Sequence, residues 1–198
     1  MKVEMDKTFL IEASVATAWT FLQDIPGVAG CMPGAVITDT IDDKHYKGQV
    51  KSKIGPATMA FNGTIEIKGI DADKKELHMI GRGQDTKGSS SAEMDLTAWI
   101  VDTGDGKCEL KGKATVSVTG KAASLGGRMM TQVADQILNQ FGKNFSNNVL
   151  ALGEGDAAES AKEELAEQPK ELNGLALVWA VMIGFVKSLF GQNKTRIG

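Results

Sequence analysis

Between Val36 and Val118 the apolar residues recur at every second position; from Ala122 to Leu152 they recur at every third or fourth. This switch of period limits the fold more than any other feature. Tyr46, Gly48, Val50, Ser52 and Ile54 alternate with Lys47, Gln49, Lys51 and Lys53. Gly55-Pro56 then turns the chain into Met59, Phe61, Gly63, Ile65 and Ile67, which predicts a hairpin. Leu77–Gly83, Ala92–Ile100 and Cys108–Val118 continue a meander, with turns at Asp71-Ala72-Asp73 and Thr103-Gly104-Asp105-Gly106. With an alternating stretch at Lys2–Ile11, about seven strands are expected, apolar on one face and polar on the other. Such a sheet needs a cover. The helix from Ala122 to Leu152 supplies it, with Met130, Val133, Ile137, Phe141, Phe145 and Val149 along one side. The expected fold is α+β: a curved antiparallel sheet wrapped around a long C-terminal helix.

Ser14 is a good N-cap for a first helix, VATAWTFLQD, whose Ala18, Trp19, Phe21 and Leu22 form a buried side. Pro26-Gly27 and Pro33-Gly34 bracket a short, turn-rich piece with Cys31 and Met32. Gly126-Gly127 weakens the first turns of the long helix and marks either a bend or close packing there. Gly48, Gly63, Gly81 and Gly112 fall at inward positions, where they either leave space beneath the helix or permit strong curvature. In the first case Met59, Phe61, Gly63, Met79, Met94, Met130, Val133, Ile137 and Phe141 line a pocket for a hydrophobic small molecule. In the second case the same residues are packed core, and the nine methionines are ordinary filler.

The last third changes character twice. Residues 153–171 are small and acidic, with seven carboxylates against Lys162 and Lys170, and read as a flexible linker. Residues 172–190, LNGLALVWAVMIGFVKSLF, carry Lys187 as their only charge. Leu175, Leu177, Val178, Trp179, Val181, Ile183, Phe185, Val186, Leu189 and Phe190 cover every side of a helical wheel. A helix apolar all round belongs in a core or in lipid. Its Leu, Ile, Val and Phe residues favour insertion by about 3–5 kcal/mol, and the stem of Lys187 can snorkel. A basic tail, 191–198, follows. A spanning helix with its basic end inside would place the domain outside the cell, yet MKVEMDKTF has no apolar signal region. Shallow, monotopic insertion from the cytoplasmic face removes the conflict. A helix that binds a partner or its own copy is the alternative. The expected organisation is therefore a domain at 1–152, a linker at 153–171, a membrane-anchoring helix at 172–190 and the basic tail.

Several chemistries find no support. The net charge of −3 gives no basic face for nucleic acid. His45 and His78 lack metal-ligand neighbours, and His78 alternates toward the polar face. Cys31 and Cys108 read as reduced structural thiols. GKA at Gly120–Ala122 lacks the first glycine and the hydroxyl of a phosphate loop. GRGQDTKG at Gly81–Gly88 has no dinucleotide spacing. Neither a catalytic set nor a covalent cofactor is expected.

The order of elements resembles the START-like (SRPBCC, helix-grip) superfamily. Within it, LQDIPGVAGCMPGA at Leu22–Ala35, YKGQVKSKIGPATMAFNGTIEI at Tyr46–Ile67 and GKAASLGGRMMTQVADQILNQFGKNF at Gly120–Phe145 resemble the CoxG-like family, the G-subunits of carbon monoxide dehydrogenase. The likeness covers about residues 1–152. It implies a protein that recruits a molybdenum hydroxylase of the carbon monoxide dehydrogenase type to membrane lipids, with a cavity suited to a quinone such as menaquinone or ubiquinone. Ser52, Gln84, Arg128, Gln132 and Asn144 read either as ordinary solvated helix or strand residues or as groups at the pocket edge that bond a quinone carbonyl. Two other functions stay open: a pure recruitment adaptor with a packed core, and an enzyme, since START-like folds also host cyclases and hydrolases.

Overall fold

The computed structural model describes residues 1–54, 57–153 and 156–167. Seven strands form one antiparallel sheet in the order β1-β7-β6-β5-β4-β3-β2. They are β1 (Lys2–Ile11), β2 (Ala35–Thr40), β3 (His45–Ile54), β4 (Ala57–Asp71), β5 (Glu76–Asp85), β6 (Ser90–Gly104) and β7 (Lys107–Gly120). The meander runs from β2 to β7, and β1 returns to pair with β7, Phe9 opposite Leu110 and Ile11 opposite Cys108.

Helix α1 (Val15–Leu22) starts where expected: the Ser14 hydroxyl accepts from the Thr17 amide at 3.2 Å, and Ala18, Trp19, Phe21 and Leu22 are buried. The piece after it differs from the turn-rich reading, because Ile25–Cys31 forms a second helix, α2. Asp24 caps it by accepting from the Gly27 amide at 3.1 Å. Pro26 sits in its first turn, where a missing N–H costs nothing. A 3-10 turn at Lys121–Leu125 leads into α3 (Gly127–Ala151). The bend is at Gly126, whose φ of +81° suits glycine and almost no other residue.

The stretch read as a flexible linker holds a helix instead. Asp156–Glu167 forms α4, packed against α3 with Ala158 and Ala161 buried. Glu164 accepts from Asn147 at 2.9 Å and pairs with Lys143 at 3.3 Å, so α4 doubles back antiparallel along α3. Alanine, glutamate and lysine are strong helix formers. Two alanines three apart allow close approach of the helices without a large apolar residue to announce it. The apolar segment 172–190, with every residue read there as membrane-inserting, lies outside the described residues. Among the described residues no helix is long and apolar enough to cross a membrane.

The buried core gathers at one end of the sheet. Ile11, Cys108, Leu110, Ile100, Ala98, Leu77 and Ile67 on the inner face meet α1, Ile25 and Cys31 of α2, and Phe145 and Val149 of α3. Phe21 and Phe145 stack edge to face at 5.1 Å between ring centroids.

Candidate functional site

The inner face divides into two halves. At the end covered by α1 and α2 it is closed. Towards the start of α3 it is only half-buried: Met94, Leu96, Gly81, Gly83, Phe61, Val3 and Val116 all keep partial exposure. The reason is where α3 touches the sheet, which is chiefly along β1. Gly142 lies so close to the ring of Phe9 that a Cβ there would collide with it. Nearer the open end, Lys7 reaches from the inner face of β1 to Asp135 of α3 at 2.7 Å. The helix is thus fastened to one edge of the sheet, and the apolar inner face of β3–β6 near the start of α3 is left half-exposed. The Lys7–Asp135 pair is not foreseeable from the sequence, since a lysine at an inward position of an alternating strand carries no partner label.

The nine expected ligand residues take these places. Met59, Phe61 and Gly63 on β4, Met79 on β5 and Met94 on β6 share the inner face, and Met130, Val133, Ile137 and Phe141 lie on α3; all nine are half-buried. They are not one layer. Met79 and Phe141 pack against the closed core, Phe141 at 6.2 Å from Phe9 and 5.9 Å from Phe145. Met94, Phe61, Met130 and Val133 belong to the open half.

The inward glycines separate into two kinds. Gly48, Gly63 and Gly83 stand opposite one another across β3, β4 and β5. A Cβ on Gly63 would run into the Arg82 carbonyl oxygen, and one on Gly48 would come within 2.9 Å of the Val36 carbonyl. These two glycines serve curvature, since neighbouring backbone already occupies their side-chain volume. A Cβ on Gly81 would meet only the Met94 side chain, at 3.6 Å or more, and one on Gly112 would make ordinary contacts with Leu96 at 3.7 Å and the Thr97 carbonyl at 3.9 Å. Those two leave room over the inner face.

Of the polar candidates, Gln84 faces outward, on a shallow depression of about 520 Å³ across the convex side. Its position is one residue out of step with the inward series Leu77, Met79, Gly81 and Gly83. Asn144 is buried but spent on structure, donating to the Cys31 carbonyl at 2.9 Å and accepting from Gln140 at 2.8 Å. Arg128 and Gln132 are exposed, and the Ser52 side chain lies outside the described residues. Cys31 and Cys108 are both buried free thiols. Burial pushes Cys31 up to about 12, with Asp24 adding to the shift. His78 bonds Asp95 at 2.8 Å on the polar face. Asp85 points inward at the β5–β6 turn. The Ser89 hydroxyl, 2.6 Å away, and backbone amides hold its carboxyl below the usual range against the effect of burial. Among the described residues no three metal-ligating side chains converge. The arrangement offers an apolar surface with few polar groups, suited to holding an oily molecule.

A family model described as the carbon monoxide dehydrogenase G-subunit (CoxG) matches residues 8–150. Similar solved structures include a conserved protein from Geobacillus kaustophilus, 19% identical with a TM-score of 0.67, covering 74% of this chain and 95% of its own. A START superfamily protein from Mycobacterium smegmatis is 17% identical with a TM-score of 0.56, covering 76% and 99%. The ZhuI aromatase/cyclase from Streptomyces sp. R1128 is 10% identical with a TM-score of 0.53, covering 75% and 94%. At these identities the likeness establishes the START-like fold, and a cyclase among them means that fold alone does not choose a function. No curated protein matches the chain.

Proposed function

The chain belongs to the CoxG family of carbon monoxide dehydrogenase G-subunits, and from that premise we propose that it carries an apolar ligand, most simply a quinone, between the membrane and a molybdenum hydroxylase of the carbon monoxide dehydrogenase type. The observation that carries this reading is the half-open inner face: Met94 stands beside Gly81 and Phe61 beside Gly83, Met130 and Val133 on α3 are half-buried, and α3 is fastened on β1. Apolar surface left accessible in this way gains about 25 cal/mol for each Å² that a ligand covers. Methionine suits the task because its flexible, polarizable side chain adapts to planar rings and isoprenoid chains. The segment 172–190 supports a membrane tether by its sequence: nineteen residues with a single charge.

The adaptor reading also has an observation in its favour. Met79 and Phe141 are engaged by the closed core, so part of the expected pocket is already filled. Native mass spectrometry of the full chain extracted from its own membranes separates the two. A co-purifying quinone or lipid in stoichiometric amount is the expected result. Protein of bare mass that also fails to bind an added quinone analogue would leave the adaptor.

A further inference from the structure

The two ends of the sheet differ in charge. Hairpins β2–β3, β4–β5 and β6–β7 turn at the closed end, and their turns carry Asp42 and Asp43, Asp71 and Asp73, and Asp102 and Asp105. These aspartates have backbone work: Asp42 accepts from the Lys44 amide at 2.8 Å, Asp71 from Lys74 at 3.0 Å, and Asp102 from Gly104 at 2.8 Å. Turn chemistry accounts for them. Of the lysines among them, Lys74 pairs with Asp71 at 3.2 Å and Lys107 with Glu12 at 2.7 Å, Lys75 donates to the Ala72 carbonyl, and Lys44 makes no ion pair among the described residues.

The open end is the reverse. Lys51, Lys87, Lys121 and Arg128 are exposed there, beside Lys2 and the N-terminal ammonium, which donates to the Val118 carbonyl at 2.7 Å. Among the described residues Lys51, Lys87, Lys121 and Arg128 make no ion pair. The nearby acids are occupied: Asp85 by Ser89, and Glu93 by Arg82 at 2.8 Å. No turn or cap requires these cations. Exposed large apolar side chains do not discriminate, since Val36 and Val50 lie near the open end and Leu10, Ile41, Ile70 and Leu152 elsewhere.

The chain also leaves the domain in this direction. Because α4 runs antiparallel to α3 and Glu164 sits beside Lys143 and Asn147, its last residue, Glu167, lies about midway along α3 and the chain is heading for the open end. From there to the start of α3 is about 20 Å at helical rise. The four residues 168–171 can span about 13 Å. At its last described residue the chain thus points toward the basic rim and away from the acidic turns.

We infer that the rim formed by Lys51, Lys87, Lys121 and Arg128 is a docking surface for an anionic bilayer, which holds the half-exposed end of the inner face towards the lipid with the acidic turns pointing away. This rests on the tether proposed above and adds a fixed orientation to it. Each cation within a Debye length of an anionic leaflet strengthens attachment roughly fivefold.

The test uses the full chain and two sets of vesicles, pure phosphatidylcholine and phosphatidylcholine with one-third phosphatidylglycerol. The variant Lys51→Glu/Lys121→Glu/Arg128→Glu is compared with Lys44→Glu/Lys74→Glu/Lys107→Glu at the opposite end, each checked for an unchanged melting temperature. The expected result is a loss of roughly a hundredfold or more in affinity for the anionic vesicles with the first and little change with the second. Orientation is read from a fluorophore on Thr86→Cys or Asp73→Cys, Cys31 and Cys108 both being fully buried. Lipid-borne quencher should reach the first probe and not the second. Equal affinity of both variants, or equal quenching at both probes, in protein that still sediments would overturn the oriented rim and leave the tether standing. A parent protein that sediments with neither vesicle would remove the tether and the rim together.

Discussion

Gly63 and Gly81 face the same side of neighbouring strands, yet a methyl group added to each should have opposite effects. At Gly81 the new Cβ would sit 3.6 Å from the Met94 methyl, an ordinary contact. A strand glycine costs about 0.5–1 kcal/mol relative to alanine, so Gly81→Ala should be neutral or slightly stabilising. At Gly63 the Cβ would strike the Arg82 carbonyl, a backbone atom that moves only if the sheet uncurls. Overpacking of that kind costs about 1–3 kcal/mol. The two variants should then differ by about 2–3 kcal/mol, or about 5–10 °C in melting temperature for a domain of this size. Thermal melts of both full-length variants measure it directly. Gly81→Phe extends the comparison, because its ring would enter the open half of the inner face beside Met94. It should abolish binding of a quinone analogue while lowering the melting temperature by only about 2–4 °C, equivalent to about 1 kcal/mol. If Gly63→Ala melts like Gly81→Ala, the curvature argument is wrong. If Gly81→Phe is as damaging as Gly63→Ala and the parent binds no analogue, the inner face is packed and the carrier reading falls with it.

Other outcomes follow from the same geometry. Ala161→Glu should free α4 from α3, seen as faster amide exchange over 156–167 with the sheet unchanged; unchanged exchange would mean that the contact carries no stability. Cys31, fully buried and with its thiol pushed up to about 12, should react with a thiol reagent only after unfolding, and prompt labelling in the native protein would contradict its burial. Asp85 is held below its ordinary value of 3.8, so its ionised form stabilises the fold above that pH and the contribution fades as pH falls through the lowered value. The gap in melting temperature between parent and Asp85→Asn should therefore be largest near neutral pH and shrink as the pH falls below the usual carboxylate range; a constant gap would refute the assignment. Deleting Leu172–Gly198 should abolish sedimentation with pure phosphatidylcholine vesicles, which the basic rim does not attract, and persistent sedimentation there would rule out the tail as the tether.

How much can be read from the residues depends on whether the pattern carries its own scale. The strands are legible because period two is set by the pleat, and the long helix because Met130 to Val149 repeat at three and four. Helix α4 escapes a sequence reading because its buried stripe, Ala158 and Ala161, is too small to register against seven carboxylates. Helix α2 escapes it because Pro26-Gly27 reads as a turn, although proline in a first turn is compatible with a helix. Alternation places Met59, Phe61, Met79 and Met94 on one face but cannot give their depth. Depth is decided by where α1 and α2 close the sheet, a long-range packing fact. Gln84 is a choice by residue type against its own alternation phase. No sequence pattern distinguishes a glycine that leaves space, as at Gly81, from one whose space the neighbouring backbone already fills, as at Gly63.

Helix α4 also changes the meaning of the chain that follows it. A free coil of nineteen residues has a root-mean-square span of about 25 Å, whereas four residues span about 11 Å. If the apolar segment is fixed in a bilayer, the volume the domain can sample shrinks to about one-tenth, since it scales with the cube of that length. On the tether proposed above, a domain on so short a leash would not sweep far from the bilayer to find an enzyme. On that proposal the enzyme would come to the surface, and one that binds several copies would gain attachment by avidity even when each contact is weak.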